Sequence, residues 1–192
     1  MAIEKHEILR VLLAQTGDRA ALDELFRTIE NPLYRYILSL VRETAIAEDV
    51  LQEVLLLIYR KLYWLKQPEL FKPWAYRIAS REAFRALRRE RRWSEQVRDE
   101  VVLEAIPAPP PETFEPDLIE RLPDLLDLVS PSNRAVLVLH YLHEMSLREV
   151  ADVLGLPTGT VKSRLFYGLS TLRKNLQGCG PGRDFGKGGR PD

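Results

Sequence analysis

Apolar residues recur along most of this chain at intervals of three and four, the spacing that lines one side of an α-helix. Residues 3–14 read as a short helix, closed by Thr16-Gly17, with Asp18 as the next N-cap. Leu22, Leu25, Phe26, Ile29, Leu33, Tyr36, Ile37 and Leu40 then carry the period across more than four turns. Pro32 falls inside that run and is expected to kink it or divide it into two abutting helices. A third helix begins near Thr44, with Val50, Leu51, Val54, Ile58 and Leu62 inward and Asp49, Gln52, Glu53 and an apolar Leu56 outward. Residues 63–70, with Pro68 among them, break the pattern. A long helix over 71–92 follows, whose buried side begins with Phe71, Trp74, Ala75, Ile78 and Ala79.

The period then lapses. Residues 93–115 are acidic, and Pro107, Pro109, Pro110 and Pro111 exclude regular helix. Residues 117–129 read as helical, interrupted by Pro123. Another helix takes Ser130 as N-cap and Pro131 at its first position, and runs through Arg134, Val136, Leu137 and Leu139 to His143. The clearest signature is in 144–176. Ser146 followed three residues later by Glu149 is a capping box, and Leu147, Val150, Ala151 and Leu154 mark a buried face. Gly155 can end that helix in the left-handed conformation, and Pro157 prevents its continuation. After a turn of about four residues a second helix has Val161, Leu165, Leu169, Leu172 and Leu176 inward. Two helices across a short Gly-containing turn form a helix-turn-helix, whose second helix enters the DNA major groove. Its exposed start offers Thr160, Lys162, Ser163 and Arg164 to base edges and phosphates. The expected fold class is therefore all-α, with two small helical domains: 1–95 and 117–177, joined by a flexible acidic, Pro-rich linker over 96–116 and followed by a disordered tail over 178–192.

Charge sharpens this picture. The 192 residues carry no net charge, which taken alone argues against nucleic acid. The sum conceals a basic block, nine Lys/Arg against three acids over 71–98, beside an acidic one, nine acids against one Arg over 99–130. A phosphate meets the local charge. Arg77, Arg81, Arg85, Arg88 and Arg92 fall at steps of four, four, three and four, a basic stripe ~22 Å long. Trp64, Phe71, Trp74, Tyr76 and Phe84 lie near it, and a cationic track with aromatic platforms suits unstacked single strands. Fully extended, about 20 linker residues span at most ~70 Å, so the two domains could sit far apart on one DNA. His140 and His143 have helical ligand spacing but no further ligands beside them, so neither a metal nor a cofactor is expected. The lone Cys179 excludes an intramolecular disulfide and fits a reducing cytosol. The longest apolar run, 54–58, is too short to span a bilayer, so membrane insertion is not expected.

The stretch SLREVADVLGLPTGTVKSRL resembles the fourth conserved region of bacterial sigma factors, especially the extracytoplasmic-function group; GTVKSRL is its most specific part. Far upstream, AEDVLQEVLLLIYRKL and FKPWAYRIASREAFRALRRERR resemble the second region of the same family, in the same order. The resemblance implies a promoter-specificity subunit of RNA polymerase without enzymatic activity, working in the cytoplasm. By it, Asp49, Gln52 and Glu53 dock on core RNA polymerase. Trp74, Tyr76, Arg77, Arg81, Arg85 and Arg88 hold the melted minus-ten promoter element, and the 63–70 loop receives a flipped base. Thr160, Lys162, Ser163, Arg164, Phe166 and Tyr167 read the minus-thirty-five element as duplex DNA. An anti-sigma factor is an implied partner.

Phe166-Tyr167-Gly168-Leu169 stands where the family usually continues with basic residues, and Gly168 weakens a helix by up to about 1 kcal/mol relative to Ala. A polymerase-independent regulator, with residues 1–92 as sensor or dimerisation domain, is the competing reading; the acidic face and arginine helix argue against it. A nucleic-acid-processing enzyme would need a phosphate-binding Gly-Lys loop, a metal cluster or an activated nucleophile, and the sequence displays none of these.

Overall fold

The computed structural model describes residues 2–93 and 125–177. Seven α-helices, two single 3₁₀ turns and one π-turn make up the regular structure of the described residues, with no strand among them. The expected linker, the tail with Cys179, and most of 117–129 lie outside them.

The first module is built on α2 (Arg19–Val41), which packs against α1 (Ala2–Gln15), α3 (Thr44–Lys61) and α4 (Phe71–Trp93). Its periodic residues do what their spacing predicts: Leu25, Leu33, Tyr36 and Ile37 are fully buried, together with Val54 and Ile58 of α3 and Phe71 and Ala75 of α4. Asp18 caps α2 by accepting from the Ala21 amide at 3.1 Å, after Gly17 turns the chain at φ +94°. The Gln15 side chain donates to the Leu62 and Leu65 carbonyls at 2.9 and 2.8 Å, tying α1 to the turns before α4. Pro32 does not divide α2, which runs through it unbroken. Proline costs a helix interior about 3 kcal/mol. Here Ile29, Leu33, Tyr36 and Ile37 are buried on both sides of it, and burying each such side chain contributes about 1.5–3 kcal/mol, enough to hold the turn.

The second module comprises α5 (Pro131–Leu137), α6 (Leu147–Leu154) and α7 (Thr158–Gln177). Pro131 opens α5 as expected, but Ser130 makes no side-chain capping bond, and the helix ends sooner than its apolar pattern suggested. From Val138 to Leu142 it widens into a π-turn, which leaves His143 just past the end and Glu144 at φ +56°.

The modules do not stand apart. α4 lies along α6, the end of α2 meets α5, and the buried residues of both halves form one continuous core.

Candidate nucleic-acid interface

The helix-turn-helix is assembled by local bonds. Ser146 Oγ accepts from the Glu149 amide at 3.2 Å, while Glu149 Oε2 accepts from the Ser146 amide at 2.8 Å and from its hydroxyl at 2.7 Å. Those two donors hold the Glu149 carboxyl below its ordinary value. Gly155 ends α6 at φ +66°, and the Pro157 carbonyl takes the Val161 amide at 3.1 Å to start α7. Lys162 is exposed, and Thr160, Arg164, Phe166 and Tyr167 are half-buried, the last two in edge contact at 5.8 Å. Ser163 departs from expectation. It is 8% exposed, and its hydroxyl is spent within α7 on the Gly159 carbonyl one turn back at 3.0 Å, so it is not turned outward.

Gly168 also reads differently in three dimensions. A Cβ there would stand 2.8 Å from Leu137 Cδ1 and 3.2 Å from its Cγ, so the missing side chain is what lets α7 approach α5. Helix propensity alone could not show this.

The arginine stripe of α4 is divided by what faces it. Arg77 donates through Nε and Nη2 to the Asp152 carbonyl at 2.9 and 2.6 Å, satisfying one of the open carbonyls at the end of α6. Arg81 and Arg88, with Phe84, line a cleft of about 310 Å³ against Leu154, Leu156 and Arg164. Arg85 turns the other way: it bonds Glu82 at 3.2 Å and, with Arg89, shares a cleft of about 410 Å³ with Asp49 and Glu53 of α3. Arg92 is helical, as expected. Trp74 is half-buried against Phe71. Tyr76 was expected at the nucleic acid but is 1% exposed. Its hydroxyl is hydrogen-bonded to His143 Nδ1 at 2.8 Å, and its ring meets that of Tyr36 edge-on at 5.4 Å. Burial raises both tyrosine hydroxyls well above their ordinary value. Burial, and then Lys72, push His143 down to about 4, so it is neutral at pH 7.

On α3, Asp49, Gln52 and Glu53 are exposed beside Leu56, as read from the sequence, and Tyr59 extends the same ridge at 60% exposure. Tyr59 was missed, although its place three residues beyond Leu56 would have found it. Tyr63 and Trp64 stand 71% and 75% exposed, ring against ring at 5.5 Å, on the turn before α4. Arg134 was missed as well. Almost wholly buried, it donates to the Ser39 carbonyl at 2.7 Å across the module boundary and to the Val129 carbonyl at 2.7 Å. Desolvation, and then Arg42, lower it to about 10, and it keeps its charge at neutral pH. His140 Nδ1 donates to the Met145 carbonyl at 2.7 Å, so that ring is occupied in ending α5. Among the described residues no three metal-ligating side chains converge, and no described helix is long and apolar enough to cross a membrane.

Two family models match this chain: Sigma-70 region 2 over residues 25–93 and Sigma-70, region 4 over residues 125–174. The RNA polymerase sigma-E factor of Streptomyces coelicolor is 30% identical over 162 residues, covering 83% of this chain and 88% of that protein. The ECF RNA polymerase sigma factor SigW of Bacillus subtilis is 26% identical over 186 residues, covering 88% and 95%. In structure, the fold is similar to the sigma factor RpoE of Bartonella quintana, solved in complex with the anti-sigma factor NepR. The TM-score there is 0.63 at 22% identity, covering 81% of this chain and 96% of that one.

Proposed function

The chain belongs to the sigma-70 family, in its extracytoplasmic-function group, and from that premise we propose how its surfaces divide the work of a promoter-specificity subunit. The protein binds core RNA polymerase and directs transcription initiation at a specific promoter set. Residues 1–95 form the polymerase-docking and minus-ten module, and 117–177 the minus-thirty-five module. Asp49, Gln52 and Glu53, with Leu56 and Tyr59, dock on polymerase through an acidic ridge with an apolar centre, which suits a cationic partner surface. Arg77, Arg81 and Arg88, with Trp74, grip the melted strand, while Tyr63 and Trp64 offer stacking faces for an unpaired base. Lys162, Thr160 and Arg164 read duplex DNA, with Tyr167 beside them. Ser163 and Tyr76 shape these surfaces from within. The protein carries out no covalent chemistry, acts in the cytoplasm, and is held in check by an anti-sigma factor.

The observation that carries this reading is the exposed acidic ridge of α3 on the same module as the arginine helix. A stand-alone helix-turn-helix regulator has no need of that pairing. Run-off transcription with purified core polymerase tests it: addition of the chain should give discrete promoter-dependent starts, and Asp49→Lys/Glu53→Lys should abolish them by loss of polymerase binding. Sequence-selective DNA binding by the free chain, without any effect on polymerase, would sink the reading.

A further inference from the structure

Arginines from both DNA-reading elements meet in one cleft. Arg81 and Arg88 come from α4 and Arg164 from α7, around a space of about 310 Å³ whose apolar walls include Phe84, Leu154 and Leu156. No carboxylate lines the space among the described residues. None of the three guanidinium groups has a hydrogen-bond or ion-pair partner among those residues. Arg81 and Arg88 are exposed and Arg164 half-buried, so their mutual repulsion is softened by water but not removed, and burial lowers the proton affinity of Arg164. An occupant of opposite charge would relieve both costs. Guanidinium groups match phosphate oxygens in pairs, and an aromatic wall beside cations accepts a flat ring. The volume falls at the lower end of small-molecule sites.

We propose that this cleft binds a small phosphorylated ligand of nucleotide type, its phosphates on Arg81, Arg88 and Arg164 and its ring against Phe84. Because the ligand contacts α4 and α7 together, it staples the modules in the packed arrangement. Because it uses DNA-facing arginines, it competes with promoter DNA. The site itself rests on the packing of the modules, and only its competition with DNA rests on the proposed sigma reading, so run-off transcription can succeed whether or not the cleft binds anything.

The test uses the whole chain at constant ionic strength, titrated with adenosine diphosphate and, separately, pyrophosphate, and followed by thermal unfolding and small-angle X-ray scattering. Adenosine diphosphate should raise the melting temperature saturably and keep the radius of gyration at its packed value. Pyrophosphate, lacking the ring, should bind more weakly. Arg164→Gln, and independently Arg81→Gln/Arg88→Gln, should weaken binding at least tenfold. Arg148→Gln, an exposed cation outside the cleft, should change it less than twofold. Equal weakening by Arg148→Gln, or no response beyond that to matched chloride, overturns the site. Equal affinity for the two ligands overturns the nucleotide assignment.

Discussion

The acidic ridge of α3 and the basic face of α4 sit on neighbouring helices of one module, yet the fold treats them oppositely. Asp49, Gln52 and Glu53 stand in solvent, whereas Arg77 is committed to the Asp152 carbonyl and Tyr76 to His143. The surface proposed for polymerase is open, and much of the surface proposed for the melted strand is covered by the second module. A protein arranged this way can be met by polymerase before it can read DNA. The difference lies in the partners: α3 faces outward from the pair of modules, while α4 is itself the seam between them.

The seam should fail most completely at Arg134. Removing a buried, hydrogen-bonded cation leaves carbonyls unsatisfied and costs about 3 kcal/mol. Arg134→Ala is therefore expected to separate the modules. The radius of gyration would rise, and free-chain affinity for single-stranded minus-ten DNA, whose proposed surface on α4 the second module covers, would increase on the order of tenfold or more. Polymerase binding through α3 would stay as it was, and circular dichroism would confirm retained helicity. If Arg134→Ala keeps the packed radius, the seam is held elsewhere.

Much of this architecture was legible in the sequence because each module is organised by local rules. Helical spacing placed α2, α3 and α4. The Ser146–Glu149 box and Gly155 placed α6. What could not be read depends on distant approach. Arg134 looks like an ordinary helix cation until Ser39 is brought to it from 95 residues away. Tyr76 lies near the stripe in sequence, but only folding shows that its side of α4 turns inward. The π-turn after Leu137 was invisible because its residues, Val138 and Leu139, fit helical periodicity equally well. Likewise, no spacing rule separates Arg85, on the acidic side of α4, from Arg81 on the other.

A smaller effect should follow from acid. His143 is held at about 4, below its ordinary 6.5, by burial first and the Lys72 charge second. Facing it are Tyr36 of α2, Lys72 and Tyr76 of α4, Glu144 beside it, and His6, Glu7 and Arg10 of α1 around a cavity of about 610 Å³. A histidine whose proton affinity falls on packing opposes that packing once charged. The closed arrangement therefore has its full stability above about pH 6.5 and loses it progressively as pH falls toward 4. Scattering across that range should show expansion. His143→Asn keeps an acceptor for the Tyr76 hydroxyl but cannot titrate, so it should flatten the response. An unchanged acid midpoint in His143→Asn would assign the transition to other groups.

The smallest change separates the seam from the module behind it. Gly168→Ala removes a helix penalty of up to about 1 kcal/mol, but places a methyl against Leu137, itself 2% exposed. Overpacking of this kind costs about 1–3 kcal/mol, so the net expectation is a loss of about 1 kcal/mol, or roughly 2–4 °C in melting temperature for a chain of this length. Leu137 belongs to α5, and the crowded contact lies between α5 and α7, inside the second module, whereas the Arg77, Tyr76 and Arg134 bonds cross to the first. The packed radius should therefore be unchanged while the melting temperature falls. If the melting temperature rises instead, Leu137 gives way cheaply, and Gly168 is only the weak helix position its sequence suggests. If the modules separate, covering of the basic face depends on the second module's internal packing as much as on the bonds across the seam.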